Sequence, residues 1–128
     1  MTSNPNHAII REAGGCDIVL DALIQYMEEP SIANRASRAM GAMAIDKESR
    51  KILVENGACE LIIDTIQMYM DNPDVLIPCC WCISVLANEP PALQIISEKM
   101  NNKLSEEEAS LILSIISNIS DYDPSNQS

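Results

Sequence analysis

The chain has 128 residues, 47% of them hydrophobic, which suits a single domain with its own core. Nineteen acidic residues against eight basic ones give a formal charge of −11, so general binding to nucleic acid or to an anionic membrane, both of which need positive surface, is not expected. No apolar run approaches the roughly 18 residues of a membrane span, and residues 1–5 have neither the basic flank nor the apolar stretch of a signal segment.

The predicted elements, in chain order, are all helices. A short one over residues 6–13 ends in Glu12-Ala13-Gly14; a glycine directly after a helix suits the left-handed C-terminal cap that other residues resist. Residues 16–27 follow, with Val19, Leu20, Leu23, Ile24 and Met27 on one stripe of helical period. Glu28-Glu29-Pro30 then breaks the chain. A third helix runs to about residue 45, with Ala36, Ala39, Met40, Met43 and Ala44 turned inward, small enough to let a neighbouring helix approach closely.

The same three segments recur 43 positions later. Gly57 repeats Gly14, Cys59 repeats Cys16, Asp64 repeats Asp21, Tyr69-Met70 repeats Tyr26-Met27 and Pro73 repeats Pro30. The second short helix spans residues 47–56 and closes on Glu55-Asn56-Gly57. The next, over residues 59–70, carries Ile62, Ile63, Ile66 and Met70 inward, with Gln67 the polar exception. Pro73 after Asn72 reads as a helix start, because a missing N–H costs nothing at the first helical position. That helix extends to about residue 88, with Cys79, Cys82, Ile83, Leu86 and Ala87 inward. Pro78, inside it, is expected to kink it or delay its start.

A third copy begins at residues 93–98 and then departs from the pattern. Met100 stands where the glycine would be, residues 101–103 read as a polar connection, and Ser105-Glu106-Glu107-Glu108 is a capping box. The last helix, over residues 106–119, has Leu111, Ile112, Ile115, Ile116 and Ile119 on one stripe and reads as a terminal cap on the last repeat. Residues 121–128 read as a disordered tail. A period in the low forties with helical patterning inside it marks a stacked, all-α repeat, with units at about 6–48, 49–91 and 92–120 in one domain covering 1–120.

Three-helix units of this length, with Glu-x-Gly-(Ala/Gly) between the first and second helices, resemble the armadillo repeat family over roughly residues 6–119. The two-helix, HEAT-like repeat is the alternative. The resemblance implies a right-handed α-solenoid whose third helices line a concave groove for extended peptides or partner proteins. Importin-α-like members carry a tryptophan with an asparagine four residues later on those helices. Here Trp81 matches the tryptophan, Val85 stands in the asparagine's place, the first repeat has Arg38 and Ala42, and Asn118 alone falls where an asparagine belongs. The resemblance therefore does not extend to binding of nuclear localisation signals.

Helical geometry identifies the groove without the family. With Cys79, Cys82, Ile83, Leu86 and Ala87 inward, Ile77, Trp81, Ser84 and Asn88 fall on the opposite side, and their first-repeat equivalents are Asn34, Arg38, Gly41 and Ile45. Arg35 lies slightly off that axis. Trp81 has two readings: an interface anchor, since tryptophan and arginine dominate such surfaces, or a packing residue against Pro78 or the last helix. Arg35 and Arg38 suit a carboxylate or a phosphorylated residue, or else pair within the chain.

Cys79, Cys80 and Cys82 are close in sequence, but one histidine and no second cysteine pair make four zinc ligands hard to assemble, so neither metal nor cofactor is expected. Five cysteines in helical patterns read instead as reduced, buried thiols, and so as a cytoplasmic or nuclear protein. Phosphate-binding, nucleophile-elbow and HExxH motifs are absent, and no enzymatic activity is expected. The leading expectation is an adaptor that binds a protein or peptide ligand. The alternatives are an assembly module that stacks through its repeat ends, as a homo-oligomer or within a larger complex, and a small-GTPase regulator of armadillo type.

Overall fold

A glycine at one helix end and two proline starts organise the observed architecture. The computed structural model describes residues 15–119, so the predicted helix at 6–13, its Gly14 cap and the tail at 121–128 lie outside the described residues. Among the described residues there are seven helices and no strand. They are α1 (Gly15–Tyr26), α2 (Pro30–Met43), α3 (Lys47–Glu55), α4 (Ala58–Met68), α5 (Pro73–Leu86), α6 (Ala92–Lys103) and α7 (Glu106–Asn118). None is long and apolar enough to cross a membrane.

The offset of 43 seen in the sequence is kept by the helix boundaries: α2 and α5 are both 14 residues long and begin at Pro30 and Pro73. Each proline occupies the first turn, where its lack of an N–H is harmless. Asn72 caps α5 by accepting from the Asp74 amide at 3.1 Å, whereas Glu29 gives α2 no side-chain cap. Gly57, at φ 90°, takes the left-handed turn between α3 and α4 that a side chain would oppose. In the third copy Met100 cannot adopt that conformation without strain. The helix therefore runs on to Lys103 instead of giving way to the polar connection expected at 101–103. Ser105 then opens α7, with both halves of the capping box formed at 2.9 and 3.2 Å.

The most extensive helix interface is α2 against α5; α5 also packs on α4 and α7, α4 on α6, and α1 on α2, α3 and α4. Alanine, serine and glycine on α2 (Ala33, Ala36, Ser37 and Gly41, all buried) allow the close approach, and the Ser37 hydroxyl meets the Cys79 thiol at 3.1 Å. One continuous core links Leu20 and Leu23 of α1 through Met40, Leu53, Ile62 and Ile66 to Leu86 and Ile112. Polar ties join the layers. Tyr69 donates its hydroxyl to the Met27 carbonyl at 2.6 Å. Arg50 pairs with Glu89 at 3.4 Å while donating to the Ala44 carbonyl at the end of α2.

Three further expectations need correction. Ala39 is exposed, although its counterpart Cys82 is fully buried. α5 is enclosed by α2, α4 and α7, whereas α2 packs extensively only on α1 and α5. Ile24 is 63% exposed; it shares its position with Gln67, so the polar copy marked the outer site and the apolar copy misled. On α7 only Ile112 is buried, and Leu111, assigned to the inner stripe, is 45% exposed.

Of the two outcomes expected at Pro78, a delayed start does not occur: α5 begins at Pro73 and runs through it. A proline there leaves the carbonyl four residues earlier, that of Asp74, without its helical donor. The side-chain amide of Asn34, reaching across from α2, donates to that carbonyl at 2.5 Å. Removing this donor in Asn34→Ala is expected to cost about 1 kcal/mol in urea unfolding. In a Pro78→Ala background, where residue 78 regains its N–H, the same change should cost only a few tenths of a kcal/mol. Equal costs in the two backgrounds would exclude this compensation.

Candidate functional site

The two prolines that start α2 and α5 bring the first turns of these helices side by side, and between them lies a cleft of about 460 Å³. Its lining combines Pro30, Ser31, Asn34, Arg35 and Arg38 of α2 with Asn72, Asp74 and Val75 at the start of α5. Three residues assigned to the groove from sequence, Asn34, Arg35 and Arg38, therefore share one cavity. Asn34 has the structural task at the Asp74 carbonyl described above. Two guanidinium groups and one carboxylate line the space, a local positive balance on a chain of formal charge −11. A second cleft, about 210 Å³, has the opposite balance, with Glu60, Glu98 and Lys99 in its wall.

The remaining groove residues lie farther along the same helix pair and beyond it. Beyond its first turn, α5 is buried everywhere except at Ile77, Trp81, Ser84 and Val85, which are half-buried. That is the face helical geometry selected, though Val85 also packs on the margin of the core. Ser84 is turned back on its own helix, its hydroxyl donating to the Trp81 carbonyl at 2.6 Å. Asn88 is exposed in the turn after α5. Asn118, exposed at the end of α7, donates to the Ser114 carbonyl at 2.8 Å, a bond within its own helix.

Trp81 combines its two sequence readings in a way neither anticipated. The indole lies directly on Gly41 of α2: a Cβ built on that glycine would stand 2.6 Å from the ring's Cε3 atom. Gly41, expected in the groove, is instead buried beneath the ring. The tryptophan thus packs on α2 and is partly buried there. Ile45, at the far end of this pair, is 62% exposed.

All five cysteines are buried, and none is in a disulfide. Burial pushes the thiols of Cys59, Cys79 and Cys80 up to about 12, and that of Cys82 well above its ordinary value. Nucleophilic or metal chemistry needs a thiolate, so these side chains behave as small apolar fillers at neutral pH. No group of three or more metal-ligating side chains occurs among the described residues.

Sequence reasoning missed Pro30, Ser31, Asn72, Asp74 and Val75 in the cleft wall. The signal was present in the paired proline starts at the repeat offset, which put two helix beginnings next to each other. Compared with protein-family models, with curated proteins and with solved structures, the chain matches none.

Proposed function

We propose that the chain is a protein-interaction module, an armadillo-like right-handed α-solenoid that receives a segment of a partner protein along the face shared by α2 and α5. The observation that carries this reading is the seating of Trp81 on Gly41, beside the helix starts that enclose the arginine-lined cleft. An aromatic side chain held in one orientation loses little entropy when a ligand docks, which is how a rigid receptor gains affinity. Arg35 and Arg38 supply the polar anchor and Trp81 the apolar one, with Ile45 and Ile77 alongside.

Assembly through the repeat ends is a second reading, favoured by the apolar side chains left on α6 and α7: Leu93, Leu111 and Leu113. Two variants separate the readings in parallel pull-downs read by mass spectrometry, each first shown by circular dichroism and urea unfolding to be folded. Arg38→Glu with Trp81→Ala alters the face between α2 and α5; Leu111→Glu with Leu113→Glu alters the end. The expected result is a partner retained by the native chain and the end variant and lost by the face variant. Loss with the end variant alone would instead assign function to the repeat end.

A further inference from the structure

The turn between α3 and α4 holds the chain's one asparagine followed by glycine, Asn56-Gly57, in a setting that lets these two residues react with each other. We propose that this turn is a site of spontaneous covalent modification, in which Asn56 becomes isoaspartate or aspartate through a cyclic imide, and that the product loosens the end of α3.

The reaction needs a backbone nitrogen able to reach the side chain of the residue before it. Asn56 is exposed at the C-terminal end of α3. Gly57 makes its turn at φ 90°, and no atom lies within 4 Å of the place where a Cβ would stand. A side chain there would crowd the approach of the nitrogen to Asn56; the glycine that the left-handed turn requires leaves the approach open. The Gly57 N–H donates to the Val54 carbonyl at 3.3 Å, beyond the usual range of an amide hydrogen bond. The stronger restraint is on Asn56, whose side-chain nitrogen donates to the Ile52 carbonyl at 2.7 Å. That bond sits at an exposed helix end, where local opening costs little. The chain's other asparagines precede proline, which has no N–H, or residues that carry a side chain.

The net change is hydrolysis of the side-chain amide by way of a ring. The Gly57 nitrogen gives its proton to solvent base and bonds to Cγ of Asn56. The bond from Cγ to Nδ2 breaks, and Nδ2 leaves as ammonia after taking a proton from water. Water then opens the imide. Cleavage of the new bond at Cγ gives aspartate. Cleavage of the original peptide bond instead leaves the chain running through Cβ and Cγ, which is isoaspartate. Nothing is oxidised or reduced.

Either product changes the turn. A carboxylate cannot donate, so the Ile52 carbonyl loses its side-chain partner, and a new negative charge stands at the end of the helix that the macrodipole already makes negative. Isoaspartate also adds a carbon to the backbone path into Gly57. α3 anchors Leu53 and Val54 in the core, and its Arg50 joins the Ala44 carbonyl at the end of α2 to Glu89 beyond α5. Loosening α3 is therefore felt at the far ends of both helices.

The test incubates the full chain in neutral buffer at physiological temperature and follows it by peptide mapping that separates asparagine, aspartate and isoaspartate forms. Conversion at Asn56 is expected to be about tenfold faster than at Asn101 or Asn102, with isoaspartate the larger product. Asn56→Gln, which would need a larger ring, should abolish it. Conversion no faster than at Asn101, or seen only when the chain is unfolded in urea, would overturn the site. The effect on α3 is read from urea midpoints of fresh chain, incubated chain and Asn56→Asp. Lower midpoints are expected for the incubated chain and for Asn56→Asp. Midpoints equal to that of the fresh chain, with conversion at Asn56 demonstrated, would overturn the loosening of α3.

Discussion

Raising the pH from about 8 to about 10 is expected to remove several kcal/mol of stability, because four buried thiols must stay protonated for the core to survive. In the unfolded chain a cysteine loses its proton near its ordinary value of 9.0; in the fold Cys59, Cys79 and Cys80 hold theirs to about 12, and Cys82 is raised as well. Desolvation is the leading cause at each position, and at Cys82 the neighbouring Cys79 and Cys59 add to it. The sign follows from proton counting. Below the unfolded value both states hold the proton and the thiols contribute their full packing. Above it the unfolded state releases protons that the native state keeps, so stability falls with pH until the folded thiols titrate too. Each thiol contributes about 1.4 kcal/mol per pH unit within that window, so four act steeply. Urea midpoints measured from about pH 7 to about pH 10 should be flat and then drop. Cys80→Ala should make the drop shallower by about one proton. A flat profile to about pH 10 would show that these thiols are hydrated in the folded protein.

The same cysteines illustrate what the sequence could and could not convey. Helical spacing placed Cys79 and Cys82 inward correctly, since both lie on the stripe with Ile83 and Leu86. It gave no sign that Cys80 is equally buried, because α5 is enclosed by α2, α4 and α7, a tertiary fact. Repetition was the stronger guide. Pro30 and Pro73, the glycine at 57 and the capping box at 105 carry local chemistry that survives any tertiary context, and each helix boundary they mark is observed. The errors arose where two copies of one position have different surroundings, as with Ala39 and Cys82, or where an apolar residue occupies an outer site, as with Ile24. In the candidate site the arginines and the tryptophan were legible as residue types on one face. Their separation into a cleft and a packed ring was not, because it depends on Gly41 admitting the indole and on Asn34 reaching the Asp74 carbonyl.

Gly41→Ala is expected to change sign according to whether Trp81 is present. Alanine in a helix interior is favoured over glycine by about 1 kcal/mol, so the substitution alone would stabilise α2. Against the indole it cannot, since the new Cβ would meet ring atoms Cε3 at 2.6 Å and Cη2 at 3.1 Å, closer than packed carbon atoms tolerate. A rigid ring cannot yield as a methionine would; it must tilt as a whole or push α2 from α5, and such overpacking costs about 1–3 kcal/mol. The native background should therefore lose about 1–2 kcal/mol on Gly41→Ala, while a Trp81→Ala background should gain up to about 1 kcal/mol. Urea unfolding of the four chains gives the coupling directly. Stabilisation in both backgrounds would mean that the ring does not rest on Gly41, and the case for a fixed aromatic anchor would fall with it. If the sign reverses, the tilted ring supplies a functional control as well. Gly41→Ala leaves every candidate contact residue in place, so loss of a partner retained by the native chain would be traced to the orientation of Trp81 rather than to its identity.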